Sequence, residues 1–455
     1  MTKVATVDET GLEALGYRQE LNRSLTLVDL VVYGLVFIVP IAPLMNFGFV
    51  FNASQGMVPL VYAVGLVAMT FTAISYMTMS QTFPVAGSVY AYAGMGIGSS
   101  AGFMAGWAML LDYVLLPSLV YVTCSTAMSG ILPSVPKPVW VLTMLAGITA
   151  INMLNIQISA RVNKLLLAVQ LAFLVVFIVL ALIALQHGVA GARLSLAPLW
   201  DPVKVTPGLI FSALSIAAVS FLGFDAISTL SEEAIGGRRA VGLATVLSLV
   251  AVAGLFMVQT YLACLFLLNH GPFAHGDPSA TAHLYVAELI GGPSFKFAAA
   301  GVVVIICGIP CALVSQAATA RLIFSMARDG RLPRALAHID RRSQTPQRAV
   351  LVVSAATLTI SLTLVDRLDL LFSLVSFGAL CGFLMVHLSV LVHHAWRARS
   401  RRWIVHVAVP LLGLVIIGYV LFSLDPRAKI VGGLWLAVGA AGLIFLKSGQ
   451  SAPAS

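Results

Sequence analysis

The chain alternates long apolar runs with short polar joints. Each run is close to the ~20 apolar residues that cross a hydrocarbon core as a helix. They lie at about 27–51, 58–81, 86–118 (running on towards 131), 138–156, 162–186, 207–231, 241–269, 294–326, 347–365, 369–395, 403–423 and 428–446. The pattern predicts an all-α integral membrane protein of about 12 transmembrane helices. Residues 278–290 read as a short external helix before the eighth span. Two runs do not read as uniform helices. The first carries Pro40 and Pro43, each of which removes a backbone donor and clashes with the preceding turn. The sixth carries Ser220-Phe221-Leu222-Gly223-Phe224-Asp225, a glycine and a carboxylate at a depth where lipid would demand apolar helix. Interruptions in the first and sixth helices are the pattern of a transporter built from two inverted five-helix repeats.

Composition sharpens this picture. Of 455 residues 60% are apolar and 9% charged, against about a quarter charged in a soluble domain. An ordinary cytosolic enzyme and a disordered scaffold are both excluded. The net charge of +9 raises the possibility of nucleic acid, but the distribution of Lys and Arg answers it. With both termini inside, the tails and inner joints hold 19 of the 26 basic residues, most densely from Arg328 to Arg348 and from Arg397 to Arg402. The bias predicts a multi-pass protein of the cytoplasmic membrane with both termini cytoplasmic, and no nucleic-acid partner. The N-terminal residues mix both charges and do not read as a cleaved signal peptide.

Two carboxylates lie deep within spans, Asp112 in the third and Asp225 in the sixth. Such a group costs ~2.5 kcal/mol or more on insertion scales. It must face a watery cavity, hold a cation or carry a proton, or else lock a broken helix by hydrogen bonding. Tyr113 follows Asp112, and Phe221 and Phe224 flank Gly223; aromatic faces beside a carboxylate suit an ammonium group. Packing is the other reading of both phenylalanines. His387 is expected to be a buried neutral side chain, and Ser315 and Gln316 either face the cavity or bond to nearby carbonyls. The five cysteines sit in apolar runs without metal-ligand spacing, and no metal or cofactor is expected. HExxH, GxSxG, P-loop and EF-hand patterns are absent, so an ion or solute gradient must drive any transport.

These residues resemble the amino acid–polyamine–organocation (APC) superfamily over nearly the full chain. The resemblance is carried by Phe83-Pro84-Val85-Ala86-Gly87-Ser88-Val89-Tyr90, Gly102-Phe103-Met104-Ala105-Gly106-Trp107, Leu111-Asp112-Tyr113, the stretch from Ser220 to Glu233, and Ala327-Arg328-Asp329-Gly330-Arg331-Leu332-Pro333 with Thr345-Pro346. The wording around Asp112 and Phe221 is most similar to bacterial putrescine importers and related amino acid permeases. The resemblance implies a LeuT-like 5+5 inverted repeat. Its parts would be a cytoplasmic tail at 1–26, a first repeat at 27–187, a second at 207–396, two peripheral helices at 402–447 and a cytoplasmic tail at 448–455. Carried over residue by residue, Val39 and Pro40 mark the first break, Asp112 and Tyr113 the third-span wall, Phe221, Leu222 and Asp225 the sixth-span break, and Ser315 the eighth-span wall.

Three positions depart from the family pattern. Ile38-Val39-Pro40 replaces a small Gly-Ser-Gly-like run, and Pro40 has no N–H. Met45 stands where putrescine importers carry an acid. Gln170 stands where some proton-coupled relatives carry a lysine. The expected function is import of an amino acid or putrescine-like amine by alternating access. Asp112 and Tyr113, with Val39, Pro40, Phe221, Leu222, Phe224 and Ser315, would bind the substrate, and Asp225 would carry a coupling proton. An exchanger is the alternative, and a channel or solute sensor a further one. A membrane-embedded hydrolase lacks a nucleophile–base pair.

Overall fold

The structure is a computed structural model that describes residues 25–83, 88–154, 160–230, 234–235, 237–328, 332–340 and 345–450. The N-terminal tail, Pro84 to Gly87, Ser231 to Glu233, Asp329 to Arg331 and the last five residues of the chain fall outside these. Among the described residues the chain is helical, with one isolated bridge between Leu25 and Ala234. In order the helices are α1 (Leu27–Ile38), α2 (Ala42–Ser54), α3 (Val58–Thr82), α4 (Ser88–Gly96), α5 (Ser99–Ser129), α6 (Lys137–Met153), α7 (Ala160–Gln186) and α8 (Pro207–Ala217). There follow α9 (Gly237–Leu265), α10 (Ala282–Gly301), α11 (Ile309–Arg328), α12 (Gln347–Thr363), α13 (Leu368–Val390), α14 (Val409–Phe422) and α15 (Pro426–Gln450). Among the described residues, eight helical stretches are long and apolar enough to cross a membrane, and α1 with α2, bent by 46°, makes a ninth.

The first break follows from local chemistry. α1 starts at a capping box, in which Thr26 Oγ1 accepts from Asp29 N at 3.3 Å and Asp29 Oδ2 accepts from Thr26 N at 3.2 Å. Lys164 on α7 donates to the other Asp29 oxygen at 3.0 Å. Pro40 cannot continue the ladder, so α1 stops at Ile38 and α2 begins afresh with Pro43 in its first turn. Between them Val39 takes φ 60°, a left-handed conformation that costs a β-branched residue ~1–3 kcal/mol.

The second break comes after α8. A 3-10 turn, Ala218–Phe221, gives way to an extended Leu222 and to Gly223 at φ 111°, then to a second 3-10 stretch, Phe224–Leu230. Glycine is required here. Its φ is open only to glycine, and a Cβ would stand 2.9 Å from the carbonyl carbon and oxygen of Phe37. The two breaks therefore lie against each other, backbone on backbone.

The third span, expected as one run, is divided. α4 ends at Gly96, and Gly98 with φ 153° turns the chain into α5. Arg397, just beyond α13, donates to Gly96 O at 3.0 Å and Ile97 O at 2.6 Å, satisfying the carbonyls that the end of α4 leaves open. α4 folds back on α5 where Gly94 meets Gly102. Between α10 and α11 the chain makes a π-helical turn, Val302–Gly308, just ahead of Pro310; a wide turn absorbs the donor that Pro310 lacks.

The core is aromatic at its centre: Tyr62, Tyr76, Phe221, Phe224, Phe256 and Phe383 are all less than 2% exposed. At one end of the bundle Lys137 ties three segments together. Its ammonium meets Asp277 at 2.5 Å and Asp366 at 2.8 Å.

Candidate functional site

A cavity of about 180 Å³ lies beside the two breaks. α1, α2, α5, α7, the α8–α9 connection, the π-helical turn, α11 and α13 all contribute to its wall. Val39, Asp112, Tyr113, Leu222, Asp225 and Ser315 line it. Pro40, Phe221 and Phe224 do not. Pro40 turns its carbonyl to α9, where Gln259 Nε2 donates to it at 2.8 Å. Phe221 packs against Tyr62 and Phe256 with ring centroids 5.7 and 5.4 Å apart. Phe224 packs against Tyr76 and Phe383 at 5.8 and 5.5 Å. Both rings are fully buried in the core behind the break, because the 3-10 turns around Gly223 rotate side chains by other increments than an α-helix does.

Asp112 and Asp225 are 7% exposed each and share this cavity, with no lysine or arginine among its described lining residues. Asp112 Oδ1 is buried and finds no hydrogen-bond partner. Asp225 Oδ1 accepts from Gly223 N at 3.3 Å, and Ser228 Oγ donates to the Asp225 carbonyl at 2.6 Å. The acid thus clamps the broken backbone as well as facing the cavity. A buried oxygen left without a donor is a costly arrangement unless a cation or proton comes to it.

Ser315 lines the wall with its hydroxyl donating to Ala312 O at 3.3 Å. Gln316 faces the other way, into a polar knot between helices. It donates to Thr149 Oγ1 at 3.1 Å and Ser354 Oγ at 2.9 Å, and accepts from Asn152 at 2.7 Å. His387 is also remote from the cavity, held by Thr72 at 3.2 Å and Ser75 at 2.9 Å. Gln170 and Met45 do line it, and Gln170 Oε1 is a second buried oxygen without a partner.

Three supporting residues, Asn46, Tyr62 and Gln259, have no sequence pattern of their own. Tyr62 OH donates to Asn46 Oδ1 at 3.1 Å and lies 3.0 Å from Ser220 Oγ, and Asn46 Nδ2 donates to Ser220 Oγ at 3.1 Å. This triangle ties α2 and α3 to the second break, while Gln259 ties α9 to the first. A polar side chain inside an apolar run is the signal that could have found them. Among the described residues no group of three or more His, Cys, Asp or Glu could hold a metal ion.

Comparison with known proteins decides the family. The family model described as "Amino acid permease" matches residues 27–444. The chain belongs to the amino acid permease family of the APC superfamily. It is 31% identical over 438 residues to the low-affinity putrescine importer PlaP of Escherichia coli (strain K12), covering 94% of each chain. To the methylthioribose transporter of Bacillus subtilis (strain 168) it is 25% identical over 460 residues, again covering 94% of each. To that organism's branched-chain amino acid permease BcaP it is 26% identical over 357 residues, or 73% of this chain and 72% of the relative. As in these permeases, the protein is a multi-pass membrane transporter and not an enzyme.

Proposed function

We propose that the protein is a secondary active transporter that imports an amine or amino acid across the cytoplasmic membrane by alternating access. Support comes first from the two buried carboxylates that line one cavity, whose described lining residues include no lysine or arginine. In this reading Asp112 and Tyr113 engage the substrate ammonium. Asp225 takes a proton in one half of the cycle, and its grip on Gly223 makes its charge part of the geometry of the break. A coupling ion works by shifting the balance between outward and inward states, and neutralising a carboxylate that clamps a broken helix supplies such a bias.

The architecture proposed with it has twelve spans. The shorter apolar helices Lys137–Met153, Pro207–Phe221 and Gln347–Thr363 supply the three beyond the nine already described. Spans one to five (27–187) and six to ten (207–396) form a LeuT-like inverted pair, with two peripheral helices at 402–447. The basic runs from Arg328 to Arg348 and from Arg397 to Arg402 support a topology with both termini in the cytoplasm.

Uptake of labelled putrescine and amino acids into proteoliposomes, with and without an imposed pH gradient, tests the reading. A gradient (inside alkaline) should raise initial uptake, and Asp225→Asn should remove that stimulation. Unchanged uptake by Asp225→Asn at every pH rejects the proton role. Gradient-independent counterflow that requires internal substrate would make the protein an exchanger.

A further inference from the structure

The cavity is chemically one-sided, and its two ends can be located from contacts between helices. Thr319 on α11 donates to Tyr113 O on α5 at 2.6 Å. This pins one level, beside Asp112. Gly308, at the end of the π-helical turn, packs so closely on Cys124 of α5 that a methyl there would collide with the sulfur, which pins a second level. Tyr113 and Cys124 are eleven residues apart, as are Thr319 and Gly308, so the levels are separated by ~16 Å of helix. α13 shares this register. A Cβ at Gly378 would stand 2.7 Å from Asp112 N, and Phe372 lies towards Asp366, at the end that Lys137 clasps.

At the first level is Asp112, and Asp225 lines the same cavity. Towards the second level the wall carries Leu116, Val120, Met45, Cys307, Cys311 and Phe372, and Met45 packs on the cluster that holds Val120 and Cys124. Thr123 brings one hydroxyl there, and no described lining residue at that end is charged.

Four amides at the breaks are already engaged. Val39 N donates to Leu35 O at 3.1 Å and Ala42 N to Val39 O at 2.8 Å. Pro40 has no N–H. Leu222 N donates to Val219 O at 3.2 Å, and Gly223 N is taken by Asp225 itself. A substrate carboxylate would meet two acids and no free donor among these amides. A second ammonium would be driven into an apolar wall with no counter-charge, at the cost of its hydration.

We infer that the preferred ligand is a primary monoamine with an apolar aryl or alkyl tail, its ammonium at Asp112 and its tail between Met45, Val120, Cys311 and Phe372. The inference rests on the transporter site proposed above and narrows it. It disfavours both a diamine and an α-amino acid.

Equilibrium binding of 2-phenylethylamine, putrescine and phenylalanine to the purified full-length protein tests it, with counterflow of the same three solutes in proteoliposomes. 2-Phenylethylamine should bind at least tenfold tighter than either competitor. Met45→Glu, which puts an acid at the apolar end, should shift the ratio at least tenfold towards putrescine, and the uncharged Met45→Gln should not. Putrescine or phenylalanine binding as tightly as 2-phenylethylamine, or no binding of 2-phenylethylamine, overturns the inference. The two readings fail separately. The predicted binding order without counterflow sinks transport and keeps the ligand class. Counterflow of putrescine without binding of 2-phenylethylamine does the reverse.

Discussion

Trp107 on α5 and Trp435 on α15 hold each other by reciprocal hydrogen bonds. Trp107 Nε1 donates to Trp435 O at 2.7 Å, and Trp435 Nε1 donates to Trp107 O at 2.8 Å. Their rings stack with centroids 4.6 Å apart and planes 14° from parallel. A hydrogen bond of this kind is worth ~1 kcal/mol net and a stacked aromatic pair ~1 kcal/mol more.

Trp435→Ala removes the stack and one of the two bonds, and leaves Trp107 Nε1–H able to reach the backbone oxygen. It should destabilise the protein by about 2 kcal/mol, read as a lower thermal unfolding midpoint in detergent. Trp107→Phe keeps a ring and loses one bond, so its midpoint should fall between those of Trp435→Ala and the unmodified protein. Equal midpoints for all three would show that the pair carries no stability.

Gly413→Ala should be damaging although α14 is peripheral. A Cβ at Gly413 would land on the His387 ring. That ring cannot retreat, because Thr72 and Ser75 hold it from the other side. Overpacking of this kind costs ~1–3 kcal/mol, measurable as a lowered midpoint. Adding His387→Ala to Gly413→Ala should lose much less than the two single changes summed, since one vacates the space the other fills.

Gly223→Ala should abolish uptake while the protein still folds. The substitution forces φ 111° on a residue with a Cβ and presses that Cβ onto the Phe37 carbonyl. The two breaks would be pushed apart and the cavity wall deformed. Binding in detergent should weaken at least tenfold, with helix content by circular dichroism unchanged. Wild-type binding would show that the contact between the breaks is dispensable.

Gln259→Leu tests the support behind the first break. Pro40 O would lose its donor, and a buried carbonyl left unpaired costs ~1–3 kcal/mol. Gln259→Glu keeps the size and loses the donor when ionised. Both variants should show lower thermal midpoints than the parent, whereas Gln259→Asn, too short to reach, should resemble Gln259→Leu. A Gln259→Leu protein as stable as the parent would mean that the break needs no partner on α9.

Both interruptions were legible because proline and an in-span glycine beside an acid are local signals. Asp112 and Asp225 were legible because few polar groups share their depth. The facing of Phe221 and Phe224 was not, since it depends on how far the 3-10 turns rotate each ring about the break. The division at Gly98 was hidden for another reason. The group that caps α4 is Arg397, about 300 positions away in the chain. Asn46, Tyr62 and Gln259 were equally opaque: each is one polar residue in an apolar stretch, and its meaning lies in a partner on another helix. Twelve apolar runs were countable, but α6, α8 and α12 are shorter helices than the runs suggested.

Lys137 joins the start of α6 to two segments far from it in sequence through a single ammonium. Both of its carboxylate partners are more than half exposed, so ions in the surrounding fluid compete with the knot directly. Separating these segments means undoing one shared fastening in place of several independent ones. The ease with which that face loosens is therefore set in part by the saltiness of the medium that bathes it.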